Sequence, residues 1–228
     1  MLLVAAGAAE LGRSAARWLE VLTQRKLSMR IPLSFLLAAA ILSTCGLRAE
    51  DKRAKTADGK DVLLKADGTW SYLGEYNKDR KATLAYKGKR RTFAVYLLPD
   101  TWKKLDKVDN GVEVGFEHKD GEMQAFIFAE RIEIPLDKLK KIVLENMQAL
   151  DKNAKIVFEE KRTVNGKKVL CLALEAAVEG IEVVYYGYYY SGDEGTIQVV
   201  TWTGRKLFKE LKPEMEDFLN GFEIVKKD

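Results

Sequence analysis

The stretch that decides the fold is residues 155–203, which read KIVFEEKRTVNGKKVLCLALEAAVEGIEVVYYGYYYSGDEGTIQVVTWT. It holds four β-rich segments, at residues 155–164, 167–178, 181–191 and 196–203. The joints between them carry Asn-Gly, Glu-Gly and Gly-Asp-Glu-Gly, which are typical of tight hairpin turns. Strands joined by such short turns pair antiparallel, because a parallel neighbour needs a long crossover connection. The stretch therefore predicts a four-stranded antiparallel meander.

The segments around the meander predict further strands and two helices. Residues 92–97 are β-rich, and residues 112–117 and 123–130 flank a turn that predicts a hairpin. A helix is predicted to begin near Pro135, with its apolar side chains on one face. A second helix is predicted over residues 205–219, with a kink or a break at Pro213.

These elements predict the fold class. Residues 181–190 are apolar or aromatic on both faces, which is typical of a central strand covered from both sides. The two helices supply the covers. We therefore predict an α+β fold, an antiparallel sheet with helices packed on it as an α-β-α sandwich, for a single main domain at residues 82–225. Residues 75–81 are polar and are interpreted as a linker before it.

The N-terminal part predicts export. Residues 29–49 contain a basic start, an uncharged apolar run and a small residue at the exit, which together are typical of a cleavable signal peptide. Cleavage is expected after Ala49; the alternative is a lipoprotein-like box ending at Cys45, which departs from the usual pattern at Thr44. Residues 1–28 are either a gene-model extension, with translation starting at Met29, or a long region preceding the signal. Residues 58–73 predict a short β-hairpin that turns at Asp67-Gly68.

The charge of the chain belongs to this leader. Residues 1–49 contain six Lys and Arg but two Asp and Glu, so residues 50–228 carry 32 of each. A neutral, interspersed surface excludes a nucleic-acid footprint, which needs basic residues concentrated on one element. Cys171 is the only cysteine after the leader, so it has no intrachain disulfide partner there and is predicted to be a buried apolar side chain.

Several segments together resemble a known family. Tyr86-Lys87-Gly88, Phe93 to Pro99 with Trp102, and the turn at residues 164–167 resemble the opening and the central turn of PsbP-like domains. Residues 185–203, followed by Phe208 and Phe222, resemble their aromatic strand and closing segment, although Gly221 stands where the family has Ser. The resemblance implies an α-β-α sandwich and a non-enzymatic accessory or binding role.

The sequence offers little for catalysis. His118 is the sole histidine, and its place beside the Lys119-Asp120-Gly121 turn predicts an exposed turn residue. The chain has no Gly-x-Ser-x-Gly motif, no P-loop and no Gly-x-Gly-x-x-Gly motif. One histidine and one cysteine after the leader do not furnish an ordinary structural zinc site. We therefore predict no catalytic, cofactor-binding or metal-binding residues.

The aromatic strand at residues 185–190 suggests a binding surface. By strand alternation Tyr186, Tyr188 and Tyr190 share one face, and a groove on that face is one interpretation, with Trp202 as its neighbour on the next strand. The alternative is that these rings only pack in the core.

Three functions follow from these observations. The first is an exported accessory domain that binds an unknown protein or an envelope component, with no nucleic acid, no membrane span after signal removal, and a lipid anchor only if Cys45 is the cleavage site. The second is a small-ligand or lipid carrier with an apolar cavity. The third is a hydrolase with an unrecognised carboxylate site.

Overall fold

The computed structural model describes residues 52–55, 61–64, 70–72, 75–90, 92–108 and 111–225. The predicted extension at residues 1–28 and the predicted signal peptide at residues 29–49, including Cys45, lie outside these residues. The described strands before Leu73 belong to one compact unit, and the described residues after Gly74 belong to another.

The first unit contains a small antiparallel sheet. Its strands are β1 (Lys52–Lys55), β2 (Asp61–Leu64) and β3 (Trp70–Tyr72), in the order β1-β2-β3. The pair β2–β3 lies within the predicted hairpin at residues 58–73, whose turn falls outside the described residues. Strand β1 was not predicted.

The second unit is built on an eight-stranded sheet that contains the predicted meander. Its strands are β4 (Glu75–Tyr76), β7 (Trp102–Lys104), β8 (Val114–His118), β9 (Met123–Glu130), β10 (Lys155–Val164), β11 (Lys167–Val178), β12 (Ile181–Gly192) and β13 (Gly195–Gly204). Their order is β4-β10-β11-β12-β13-β9-β8-β7. Strands β10 to β13 are consecutive antiparallel neighbours, which confirms the meander.

A smaller antiparallel sheet and two helices complete this unit. The sheet comprises β5 (Thr83–Lys87), β6 (Phe93–Leu97) and β14 (Phe222–Ile224), in the order β14-β6-β5. Helix α1 (Leu136–Leu150) contacts β10, β11 and β12, and helix α2 (Phe208–Asn220) contacts β12, β13, β6 and β14. Pro213 lies inside α2, which is one helix rather than the two short ones that were the alternative.

The two helices cover opposite faces of the large sheet. One core cluster joins the α2 residues Met215, Phe218 and Leu219 to Tyr186 and Tyr188 of β12 and contains no residue of α1. Helix α1 buries its own stripe of Leu139, Val143 and Met147. The predicted α+β sandwich, an antiparallel sheet with helices packed on it, is therefore confirmed. Neither helix of the described chain is long and apolar enough to cross a membrane.

The linker interpretation of residues 75–81 is wrong at its start. Strand β4 pairs parallel with Thr163 and Val164 at the end of β10. The side chain of Asn165, in the tight turn after β10, explains why. Asn165 accepts a hydrogen bond from the Lys78 backbone N–H at 3.0 Å, and its own backbone N–H donates to the Tyr76 carbonyl at 2.9 Å. The contact between Lys78 and Asn165 joins residues 87 positions apart, so local sequence patterns do not reveal it.

Candidate functional site

The predicted tyrosine groove is filled in the structure. Tyr186, Tyr188 and Tyr190 are 0%, 0% and 5% exposed, because α2 packs over their face of the sheet. Trp202 is also buried, and it stands directly opposite Tyr185 in the β12–β13 pairing. Because directly paired residues share a face, Trp202 lies on the face opposite to Tyr186. The prediction of a surface formed by all four residues is wrong; their rings form core on two sides of one sheet.

The hydroxyl groups of Tyr186 and Tyr188 belong to a network around Arg162, whose side chain is 4% exposed. Arg162 donates to Glu160 from Nε at 2.6 Å and to Glu216 from Nη1 at 3.1 Å. Nη1 also donates to the Tyr188 hydroxyl at 3.0 Å, and Tyr186 donates to Glu216 at 2.6 Å. With its partners supplied by the protein itself, this network is suited to holding α2 on the sheet rather than to binding a ligand.

Burial sets the acid–base behaviour of this core. It raises the pKa of Tyr185, Tyr186, Tyr188 and Tyr189 above the ordinary value of 10.0. It also raises the pKa of the Cys171 thiol to about 11. Because the thiolate is the reactive form, a buried and protonated Cys171 is inert, as predicted for a core side chain.

We expect the fold to be lost at alkaline pH. A phenol whose pKa is raised on folding stabilises the folded state fully below the unfolded value of 10.0, and that contribution is lost as pH rises above it. Tyrosinate absorbance from the core tyrosines should therefore appear together with the loss of circular dichroism. Tyr185→Phe is the control, because the Tyr185 hydroxyl finds no hydrogen-bond partner among the described residues and its removal should cost little at neutral pH. Ionisation of the core tyrosines with intact dichroism would contradict this prediction.

The sole histidine is buried, which corrects its prediction as an exposed turn residue. His118 is 4% exposed and ends strand β8 directly opposite Trp102 of β7. The two rings pack edge to face at 5.1 Å, and Trp102 also contacts Phe218 of α2 at 4.6 Å. The strand pattern contained the signal: Val114, Phe116 and His118 alternate in step, so all three point to the core.

A cavity of about 170 Å³ opens beside His118. Its walls come from the segment before β5, from β6 and its following turn, from β7 and from α2. Three acidic and three aromatic side chains line the cavity: Asp79, Glu214, Asp217, Tyr96, Trp102 and Phe218. Lys119 is the only lysine or arginine among the described lining residues. We call this cavity the acidic pocket.

His118 stands between two carboxylates at this pocket. Its Nε2 lies 3.3 Å from Glu214 Oε2, and its Nδ1 lies 3.5 Å from Asp120 Oδ2. Both carboxylate side chains are about half exposed, at 55% for Asp120 and 52% for Glu214. Nδ1 is inaccessible to solvent and finds no hydrogen-bond partner in the described structure. A buried polar atom without a partner is costly and rare, so it marks this position as unusual.

The sequence did not single out the acidic pocket. Asp79 lies in a segment interpreted as a linker, and Glu214 and Asp217 lie on a helix among many other charges. Only tertiary packing brings these side chains to His118. Glu214 and Asp217 are three residues apart on one helix, and this spacing predicts that they are neighbours on its surface. It does not predict that they line a pocket.

A second cavity, of about 280 Å³, lies beside the β11–β12 hairpin. Its carboxylates are already engaged by the protein. Arg205 pairs with Glu175 at 3.3 Å and with Glu182 at 2.8 Å, and Asp151 accepts from the Ala177 backbone N–H at 2.7 Å. This cavity is a set of surface ion pairs rather than a ligand site.

No family model matches the chain, and no match was found among curated proteins. Similar solved structures include CyanoP, the cyanobacterial PsbP of Synechocystis sp. PCC 6803, at 12% identity and a TM-score of 0.48, over 61% of this chain and 91% of that one. Protein PA94 of Pseudomonas aeruginosa has 12% identity and a TM-score of 0.40, over 64% and 98% of the two chains.

LpqN, involved in cell envelope biogenesis of Mycobacterium tuberculosis, has 15% identity and a TM-score of 0.40, over 59% of this chain and 83% of its own. At identities of 12–15% the likeness concerns the fold and transfers no function.

Proposed function

We propose that the chain is an exported, non-enzymatic accessory domain that binds a protein partner by taking one of the partner's basic side chains into the acidic pocket. The observation that carries this proposal is the convergence of Asp79, Glu214 and Asp217 with the rings of Tyr96 and Trp102 around one cavity. The elements that meet there are far apart in the sequence. The sequence-based hypothesis of a protein-binding domain thereby gains a specific surface.

The chemistry of the acidic pocket suits a guanidinium or ammonium group. Carboxylates form charge-assisted hydrogen bonds with both groups, and aromatic faces attract cations electrostatically. The adjoining surface already uses this chemistry within the protein. Lys78 Nζ lies over the Tyr96 ring at 4.0 Å and pairs with Glu223. A partner's basic side chain would repeat the same contacts inside the pocket.

The size of the pocket favours a side chain over a free small molecule. Sites for drug-sized ligands measure about 300–1,000 Å³, whereas the acidic pocket measures about 170 Å³. The carrier hypothesis also needs open space between sheet and helix. Under α2 that space is filled by Tyr186, Tyr188 and Phe218, each at most 1% exposed. These observations favour a binding domain over a carrier.

The pocket residues give a hydrolase little support. A hydrolase that used a Ser, Thr or Cys nucleophile would need that side chain beside His118, its general base. Thr101 lines the pocket, but its hydroxyl donates to the Leu98 carbonyl at 2.7 Å. The thiol of Cys171 is buried in the core. The chemistry-bearing groups near His118 are instead carboxylates suited to holding a cation.

The test is site-specific photocrosslinking in the producing cell. A photoreactive residue replaces Lys119, which is exposed and lines the pocket, or Lys168, which is exposed on β11 and does not line it. We expect a crosslinked partner from position 119, attached close to a Lys or Arg of that partner, and none from position 168. Asp79→Asn should abolish the crosslink, because it removes a pocket charge while an asparagine oxygen still accepts from the Lys81 backbone N–H, as Asp79 does at 2.6 Å.

Two outcomes would overturn the proposal. One is a partner captured equally from positions 119 and 168. The other is a crosslink from position 119 that is unaffected by Asp79→Asn, since the removed carboxylate would then have no part in binding.

A further inference from the structure

Three metal-ligand side chains meet at the rim of the acidic pocket. His118 ends β8, Asp120 lies in the turn that follows, and Glu214 projects from α2. One ligand atom from each lies within 4.8 Å of the other two. Imidazole nitrogen and carboxylate oxygen are both ligands of divalent zinc in proteins.

The contacts of His118 are poor hydrogen bonds but suitable ligand separations. Zinc bonds of about 2.0–2.2 Å place two ligands of a tetrahedral ion roughly 3.3–3.6 Å apart. The distance from His118 Nε2 to Glu214 Oε2 is 3.3 Å, which falls within this range. The nitrogen on the other side of the ring, Nδ1, is buried without any hydrogen-bond partner in the described structure.

We propose that this cluster is a binding site for a divalent transition-metal ion, held directly by His118 Nε2 and Glu214. Asp120 Oδ2 lies 3.5 Å from Nδ1 without a hydrogen bond in this structure, and with the ion bound it would accept the Nδ1 hydrogen and orient the ring. A carboxylate behind a metal-bound histidine is a recurrent arrangement, and it gives the unpartnered Nδ1 a role.

The ligand set selects the class of metal. Imidazole nitrogen suits zinc, cobalt, nickel and copper, whereas calcium and magnesium prefer sites made of oxygen atoms alone. The surroundings favour a cation as well, because the described lining has three carboxylates against one lysine. An ion here would also tie the β8–β9 turn to helix α2, so it should stabilise the fold by binding to the folded state only.

The metal site does not depend on the basic ligand proposed above, and two residues separate the two proposals. Asp120 belongs to the metal cluster and does not line the acidic pocket, whereas Asp79 lines the pocket and lies outside the cluster. Asp120→Asn should therefore weaken metal binding alone. Asp79→Asn should weaken partner binding and leave the His118 ligand set intact.

The experiment is calorimetric titration of the whole expressed chain, purified without a histidine tag, with Zn²⁺, and spectroscopic titration with Co²⁺. We expect one saturable site with the visible absorption bands of cobalt in a protein ligand field. Glu214→Gln should lower the affinity by more than about 10-fold and Asp120→Asn by about 10-fold, since loss of an orienting carboxylate has effects of that size. Because both carboxylates are half exposed, the two variants should unfold in EDTA at the same temperature as the unchanged chain.

Glu210→Gln is the matched control, because Glu210 is exposed one turn earlier on α2 and lies outside the cluster. It should bind Zn²⁺ as tightly as the unchanged chain. The proposal is overturned if no saturable binding occurs at millimolar Zn²⁺, or if Glu214→Gln binds as tightly as Glu210→Gln. Calcium binding as tight as zinc binding would overturn the assignment of the metal class.

Discussion

Gly195→Ala should lower the free energy of unfolding by more than about 3 kcal/mol, because the substitution causes both backbone strain and overpacking. Gly195 begins β13 with φ of +101°, a conformation that residues with a Cβ rarely adopt. A Cβ at this position would also collide with the Glu130 carbonyl oxygen, well inside the 3.0 Å that real Cβ atoms keep. That oxygen is part of the β9 backbone, so it cannot move aside as a flexible side chain would.

Gly180→Ala separates the two causes of this loss. Gly180 has a φ of +83° in the β11–β12 turn, but a Cβ there meets nothing within 4 Å. It should cost about 1 kcal/mol, the strain without the collision. Urea unfolding monitored by tryptophan fluorescence measures both variants. Equal losses at the two glycines would contradict the close approach of β13 to the end of β9.

Arg162→Ala should lower the free energy of unfolding by about 3 kcal/mol, because it leaves two carboxylates and a phenol around an empty buried position. Arg162 binds Glu160 and Glu216, and its guanidinium lies 4.2 Å from the centre of the Tyr76 ring. The two carboxylates are 32% and 26% exposed, so water relieves part of their loss and the effect stays at the lower end for buried pairs. Arg162→Lys should fall between, since lysine keeps the charge but not the planar fork.

Arg205→Ala is the matched comparison for this prediction. Arg205 also pairs with two carboxylates, Glu175 and Glu182, but its side chain is 46% exposed. Its loss should cost less than about 1 kcal/mol, as is usual for exposed ion pairs. Chemical denaturation of both variants at low and high salt decides the matter. Similar losses for Arg162 and Arg205 would show that the Arg162 network contributes no more than a surface pair.

The sequence predicted the elements that local patterns determine. The meander follows from Asn165-Gly166, Glu179-Gly180 and the Gly192 to Gly195 turn, and each of these joints has a residue with positive φ in the structure. The stripe of α1 follows from helical spacing. Both depend on residues that are close in the chain, where backbone geometry and apolar periodicity leave few alternatives.

Long-range pairing was beyond sequence reasoning. Strand β4 exists because Tyr76 meets Arg162 and Asn165, and β14 exists because residues 222–224 pair with β6. The face of the sheet on which Trp202 lies depends on the β12–β13 register. The Gly192 to Gly195 turn does not specify that register in the sequence, and a shift of one residue would move Trp202 to the other face. The acidic pocket combines residues from four such separate segments. Its chemistry therefore became visible only in three dimensions.

The central claim is that the acidic pocket binds a basic side chain, and an NMR titration tests it most directly. The ¹⁵N-labelled chain, kept in EDTA to exclude metal, is titrated with the peptide acetyl-Gly-Arg-Gly-amide and with its citrulline counterpart. We expect saturable chemical-shift changes at Trp102 and at the α2 residues around Glu214. The dissociation constant should be about 1 mM, which corresponds to a binding free energy of about −4 kcal/mol. The citrulline peptide and the Asp79→Asn variant should give no saturation. Shifts that are absent, equal for citrulline, or centred away from Trp102 would contradict the account.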